Sequence, residues 1–331
     1  MTRIPAPTAL GALAVIALGA FAVALGVGSV SLGPVAVLHA LVGDGDETPR
    51  AIVQSLRLPR ALAGFATGGS LALAGALLQV LLRNPLADPY VMGVSGGAAV
   101  GALVAMLIGA SPWMTPAGAF AGGFLSTIVV FGLARGAGAW SPTRLLLTGV
   151  IVASGWGAVV ALLLSLAPET QLRGMLFWLM GDLGVVTTYW PALLALLVAV
   201  ACTYPIAREL NLLLGGHDAA QALGVNVRRL RLLTYMIASL ATAIAVTTAG
   251  SIGFIGLIVP HALRLIVGND QRVLLPACAL GGGSLLVLSD TVARTIIAPE
   301  QLPVGVLTAL VGVPAFLFLL LRSGSTAGAR A

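Results

Sequence analysis

Few residues in this chain of 331 can do chemistry, and their types exclude more than they permit. The three histidines, His39, His217 and His261, are far apart, and none stands in a zinc-like H-E-x-x-H spacing. No metal site follows from them. The two cysteines, Cys202 and Cys278, lie inside apolar runs, where cysteine serves as a small packing residue. All 17 basic residues are arginine. Without lysine there is no G-x-x-x-x-G-K-[ST] phosphate loop and no Schiff base, so the chain does not hydrolyse ATP by that route. An enzyme would need a catalytic constellation, and none is legible. What remains is arginine, whose planar fork binds carboxylates bidentately. Arg57 and Arg60 stand together before a long apolar run, and Arg294 follows Asp290 by four residues.

The elements that must position these arginines are membrane helices. Hydrophobic residues make up 59% of the chain and charged residues 8%, with a mean hydropathy of +1.05, far from the balance of a soluble domain. A bilayer core takes about 20 apolar residues per helix, and runs of that size recur along the whole length between short polar joints. The fold class is therefore all-α, a polytopic bundle forming a single transmembrane domain over 1–331. The 42 glycines suit helices that approach closely in lipid. Ten spans are expected, at about 9–30, 58–82, 90–108, 117–134, 145–166, 191–207, 232–249, 253–264, 273–297 and 304–322. Residues 31–55 read as an outward loop. The piece 174–181 is amphipathic and too short to span, and its Phe177 and Trp178 suit an interfacial position. Between the sixth and seventh spans, Asp218 reads as an N-cap and Gly224 as a left-handed stop, giving a short surface helix at 219–223.

Ten spans put both termini on one side. Twelve of the 17 arginines then fall on that side, and Arg50, Arg57, Arg60, Arg173 and Arg294 fall on the other. Seven of the 11 acidic residues lie opposite the termini. The arginine excess places the termini in the cytoplasm, and it accounts for the net charge of +6 without nucleic acid as a partner.

Several blocks share one resemblance. Arg57-Leu-Pro-Arg60, Gln79, Arg83-Asn-Pro-Leu-Ala-Asp-Pro89 and Gly93-Val-Ser-Gly-Gly97 are followed by Ala219-Ala-Gln-Ala-Leu-Gly-Val225, Gly250-Ser-Ile-Gly-Phe-Ile-Gly-Leu-Ile-Val-Pro-His261 and Leu302-Pro-Val-Gly305. In this order they resemble the FecCD family, the iron-chelate, haem and cobalamin permeases of bacterial ABC importers, over essentially the whole chain. The resemblance implies a type II ABC importer permease fold in the bacterial inner membrane, paired with a second copy as a homodimer. It implies two cytoplasmic ATPase subunits, which bind ATP and magnesium so that this chain carries no cofactor, and a periplasmic binding protein.

By motif position, the resemblance implies that Arg57, Arg60 and Arg294 receive acidic residues of the binding protein. On the residues alone, Arg57 and Arg60 equally mark a helix boundary, and Arg294 equally pairs with Asp290 at i, i+4. The stretch 209–226 resembles helices that couple to the ATPase, which implies roles there for Glu209, Asp218, Ala219, Ala220, Leu223 and Gly224; otherwise it is a solvated loop. Asn84, Leu86, Ser141 and Thr143 fall where the family closes its path on the cytoplasmic side. This chain departs from the pattern at Pro142, where a small hydroxyl residue is expected, and Asn84-Pro85 also has plain turn chemistry.

A secondary carrier driven by protons or sodium is the rival. Such proteins usually keep an ionisable residue near the bilayer midplane, and here only residues near span ends qualify. Uptake by membrane vesicles separates the two: uptake that needs ATP and survives an uncoupler is expected, and the reverse pattern would favour the carrier.

Overall fold

The computed structural model describes residues 5–328 except 110, 136–140, 185 and 187. It is all-helical, with no strand among the described residues. The helices are α1 (Ala6–Gly26), α2 (Pro34–Leu41), α3 (Glu47–Ala51), α4 (Leu58–Leu82), α5 (Val94–Leu107), α6 (Met114–Arg135), α7 (Pro142–Leu166) and α8 (Glu169–Met180). After them come α9 (Trp190–Thr203), α10 (Ala207–Leu214), α11 (His217–Ala222), α12 (Val227–Ala249), α13 (Ile255–Val267), α14 (Gln271–Ala293) and α15 (Val304–Gly328).

The axis of the molecule is α4. Every residue from Ala66 to Leu82 is buried, and α9, α12, α13 and α14 pack around it. Glycine makes this approach possible. A Cβ on Gly68 would lie 2.3 Å from the Gly282 carbonyl oxygen of α14, and one on Gly75 would lie 1.8 Å from the Gly256 carbonyl oxygen of α13. Backbones in such contact gain dispersion along their length, which is how helices associate where lipid removes the hydrophobic drive. Gly97 against Gly122 and Gly101 against Gly118 join α5 to α6 in the same way. By contrast α7, at the edge, is mostly exposed.

Among the described residues six helices are long and apolar enough to cross a membrane, and α9 with α10, bent by 64°, forms a seventh candidate. Pro205 sits in that break, where it removes a helix donor. Val94–Leu107, Ile255–Val267 and Val304–Leu319 are apolar but shorter, so the expected number of ten rests on three elements below full spanning length.

Several boundaries move. The first span stops at Gly26, not near Val30. The expected outward loop at 31–55 is partly helical, with α2, α3 and a π-helical turn, Ile52–Arg57, running straight into α4. The ninth span ends at Ala293 and the chain turns back through 294–303, with the Leu302 N–H donating to the Ala293 carbonyl. Trp178 is buried at the end of α8 and not at a lipid interface. Arg3 and Arg330, counted above with the terminal side, lie outside the described residues, as does most of the joint between α6 and α7.

The direction of the chain at its two ends is set by contacts. Arg57 and Arg294 meet at the C-terminal end of α1. At the other end, Arg83 after α4 approaches Gly216, and Asn211 of α10 bonds Asp270 before α14. Gly75→Ala should therefore force α4 off α13 and lower stability by about 1–3 kcal/mol, read as thermal unfolding in detergent. Gly155→Ala, on the open side of α7 where a Cβ meets nothing within 4 Å, should shift it little.

Candidate functional site

At the Arg57 end, α1 stops and leaves its last carbonyls without intrahelical donors, at the negative end of its dipole. Arginine fills the gap. Arg57 donates through Nη1 to the carbonyls of Leu25 at 2.6 Å and Gly26 at 3.1 Å, and through Nη2 to that of Val30. Arg294, at the end of α14, donates to the Ala24 carbonyl. Gly28 leaves room for the fork, because a Cβ on it would stand 2.5 Å from Arg57 Nη2 and the guanidinium would have to shift.

Arg60 lies one turn along α4 and holds Asp290 of α14 in a bidentate pair, Nε to Oδ2 and Nη2 to Oδ1, both at 2.8 Å. Its remaining nitrogen, Nη1, donates to Gln301 Oε1 at 2.7 Å. Of the two side chains, Arg60 is 13% exposed and Asp290 5%. The expected trio is therefore brought together, but not as three free surface cations. Arg57 and Arg294 are 6% and 9% exposed, covered by the end of α1. The aspartate four residues before Arg294 is held by Arg60, which sequence spacing alone could not reveal. One carboxylate faces three guanidinium groups, so the cluster keeps a positive excess.

Beside the cluster lies a cavity of about 1510 Å³ between α8, the start of α6 and the adjoining end of α12. Asp182 lines it, and Asp182 and Arg60 both approach Gly184. The aromatic rings of Trp113, Phe120, Phe177 and Trp178 supply much of its wall. Arg173, 5.6 Å above the Phe177 ring, is its cation. Two of its polar atoms, Gln171 Oε1 and Thr247 Oγ1, are buried without a hydrogen-bond partner. Only the segment 174–181 of this wall stood out in the sequence, as an amphipathic piece; the partners on α6 and α12 are distant in the chain.

The opposite end carries the other expected residues. Arg83 takes a left-handed φ of 49° and closes α4, with its own N–H bonded to the Val80 carbonyl and the Asn84 N–H to that of Gln79. Asn84 Oδ1 accepts from the Leu86 N–H at 2.9 Å, a turn made by the side chain, and Leu86 is left exposed. Ser141 precedes α7 in an extended conformation without a side-chain cap, and Thr143 is exposed in its first turn.

Two short helices replace the single one expected beyond the sixth span. Asp218 is not the N-cap of α11; Gly216, at φ 121°, holds that position and Asp218 lies in the first turn, where its charge still meets the positive end of the helix. Gly224 does stop the element, at φ 84°. Ala220 is buried, whereas Glu209, Asp218, Ala219, Leu223 and Gly224 are exposed. The platform is clamped by a contact the sequence did not announce. Asn211 of α10 donates to Asp270 Oδ1 at 2.8 Å and accepts from the Gln271 N–H at 2.8 Å. The Asp270 carboxyl is held down at about 2, first by its hydrogen bond with the Arg272 side chain, so it stays charged at physiological pH.

Comparison with known proteins converges on one family. The FecCD transport family matches residues 15–322. The cobalamin import system permease BtuC of Halobacterium salinarum is 45% identical over 284 residues, covering 83% of this chain and 74% of that protein. The hemin transport system permease HmuU of Yersinia pestis is 42% identical over 81% of this chain and 82% of its own length. A solved metal-chelate type ABC transporter in an inward-facing conformation superposes with a TM-score of 0.86 at 32% identity, covering 96% of this chain and 99% of that one. An all-helical bundle around a buried α4, matched to this family over nearly its whole length, makes the chain a member of the FecCD transport family and a permease subunit of an ABC importer.

Proposed function

We propose that this permease takes an iron chelate, haem or cobalamin from a binding protein docked at the Arg57 end and passes it across the membrane by ATP-driven alternating access. The observation that carries the reading is the placement of two unlike features at opposite ends of one buried helix: an arginine cluster at the start of α4, and the α10–α11 platform beyond its end. The cargo range follows the relatives named above, a cobalamin permease, a hemin permease and a metal-chelate transporter.

In this reading the termini and α10–α11 face the cytoplasm, and the Arg57 end faces outward in a bacterial plasma membrane. Leu223, 65% exposed, with Glu209, Asp218, Ala219 and Gly224 around it, docks on a separate ATPase subunit that binds ATP and magnesium. Ala220, buried, anchors the platform instead of touching the partner. A second copy packs against the exposed faces of α7 and α15, and Asn84, Leu86, Ser141 and Thr143 close the cytoplasmic side of the path between the copies. Binding-protein carboxylates are drawn by the positive excess of the cluster. Direct contact with Arg57 or Arg294 requires the C-terminal end of α1 and the turn after it to move off them, whereas Arg60 is reached by competing with Asp290.

The test is ATPase activity of the permease reconstituted with its ATPase, with and without binding proteins loaded with ferric siderophore, haem or cobalamin. Stimulation by one loaded protein, weakened in Arg60→Gln, is expected; no stimulation by any, from an assembled complex, would remove the reading. Asp290→Asn should move two readouts in opposite directions. It frees the Arg60 fork, so docking at low salt should tighten about threefold, while loss of the buried pair should lower thermal stability by about 2–4 kcal/mol. Asn211→Leu should unlatch α10 from α14 and lower transport per ATP hydrolysed, measured as uptake and phosphate release in the same proteoliposomes.

A further inference from the structure

Two features that a folded chain ordinarily avoids meet on one seam, between α13 and α15. Phe254 stands immediately before α13 at a left-handed φ of 70°, and Arg83 is the one other non-glycine residue of positive φ among the described residues. For a bulky side chain this is a genuine outlier, and such conformations persist only where the surroundings impose them, at clamps and switches. Here α15 imposes it: a Cβ on Gly312 would lie 2.8 Å from Phe254 Cβ and 3.0 Å from Ile258 Cδ1. Further along the same face of α13 is His261, 8% exposed, with both ring nitrogens buried and unpartnered. A neutral imidazole has one donor and one acceptor to satisfy, and leaving them unpaired in the interior is costly. Its cover is Phe316 of α15, whose ring meets it edge-on with centroids 6.1 Å apart.

Both helices are weakened where they touch. Pro260 lies inside α13 beside His261, and Pro314 lies inside α15 between Gly312 and Phe316; each removes an intrahelical hydrogen bond. Much of the rest of α15 is exposed, including Leu310, Val311, Leu317 and Leu321. The chain just before the seam is held, because Ser251 Oγ bonds Ser95 Oγ at 3.1 Å and the Ile252 N–H donates to the Tyr90 hydroxyl at 2.8 Å. A swing of α13 is then absorbed at Gly253 and Phe254, and a Cβ on Gly253 would meet nothing within 4 Å. The other end of α13 leads through Gly268 to Asp270, the residue clamped by Asn211 of α10.

Resting on the importer reading above, we propose that the α13–α15 seam is a joint that opens in each transport cycle. Movement of the α10–α11 platform on its ATPase reaches α13 through the Asn211–Asp270 clamp, α13 turns about Gly253 and Phe254, and α15 parts from it. Opening releases Phe254 from its left-handed conformation and gives His261 water as a partner. The closed seam carries strain and unpaired nitrogens, and the open one loses apolar contact, so the opposing costs bring the two states within reach of a partner that switches them.

The experiment uses the full permease assembled with its ATPase and binding protein in proteoliposomes. It reads carbethoxylation of His261 by diethyl pyrocarbonate from peptide masses, with N-acetylhistidine in the same mixture as the reference. The His261 rate is expected to be low without nucleotide and to rise at least about fivefold during ATP turnover, as the open population grows. An equal rate in both states, or no reaction in either, overturns the proposal. Phe254→Cys with Gly312→Cys closes the seam by a disulfide, for which the Cβ atoms part from 2.8 Å to about 3.8 Å. It is made in a Cys202→Ser background, since Cys278 is fully buried. The oxidised variant should lose ATP-driven uptake and the His261 response and regain both on reduction, which tells locking from misfolding. Uptake that survives oxidation, with the cross-linked peptides confirmed by mass, overturns the proposal. Wild-type transporter that takes up ferric siderophore, haem or cobalamin with ATP while His261 stays silent sinks this inference alone; failure of ATP to drive uptake of any of the three sinks the importer reading beneath it.

Discussion

A helix that ends inside or at the edge of a bilayer leaves backbone groups that lipid cannot satisfy, and each such group costs several kcal/mol. This protein breaks its helices repeatedly, and several of the breaks have a partner from elsewhere in the chain. The end of α1 is held by the guanidinium groups of Arg57 and Arg294. Between α12 and α13, the Ala249 carbonyl accepts from the Asp182 N–H at 2.9 Å, and the Ile252 N–H donates to the Tyr90 hydroxyl at 2.8 Å. The close of α4 is satisfied locally by the left-handed turn at Arg83. Breaks satisfied at long range tie distant segments together, so the arginine cluster and the segments around α8 form one connected region.

This constraint changes how the arginines are to be understood. A surface ion pair is worth little, but a guanidinium placed over helix carbonyls and away from water is both a structural cap and a store of positive potential. Arg57 and Arg294 act in the first role in this conformation. The second role needs only that the potential reach the surface, and Asp290, among the described residues the one carboxylate bonded to the trio, is taken up by Arg60.

Membrane character, all-helical class and the family were legible in the sequence, because hydropathy and long ordered motifs are properties of local stretches. The paired residues Arg57 and Arg60, the Arg83 turn and the Gly224 stop could be read for the same reason. Burial of Arg57 and Arg294 could not, since it depends on where α1 ends, and α1 ends early because arginines from two other helices take up its carbonyls. The Arg60–Asp290 pair joins residues 230 apart, and the Asn211–Asp270 clamp joins residues 59 apart. Asp218 misled for a simpler reason: Gly216 was free to adopt a left-handed φ and started the helix two residues sooner.

The burial of α4 from Ala66 to Leu82 has a mechanical consequence. Lipid is met by peripheral helices such as α1 and α6, whose membrane-length windows are only 28% and 33% buried. Hydrophobic mismatch therefore acts on that outer shell, tilting it at a modest cost per ångström. The helix that connects the arginine cluster to the opposite end feels bilayer thickness only through its neighbours. Such a shaft keeps a fixed length between the two faces of the membrane while the casing around it adjusts.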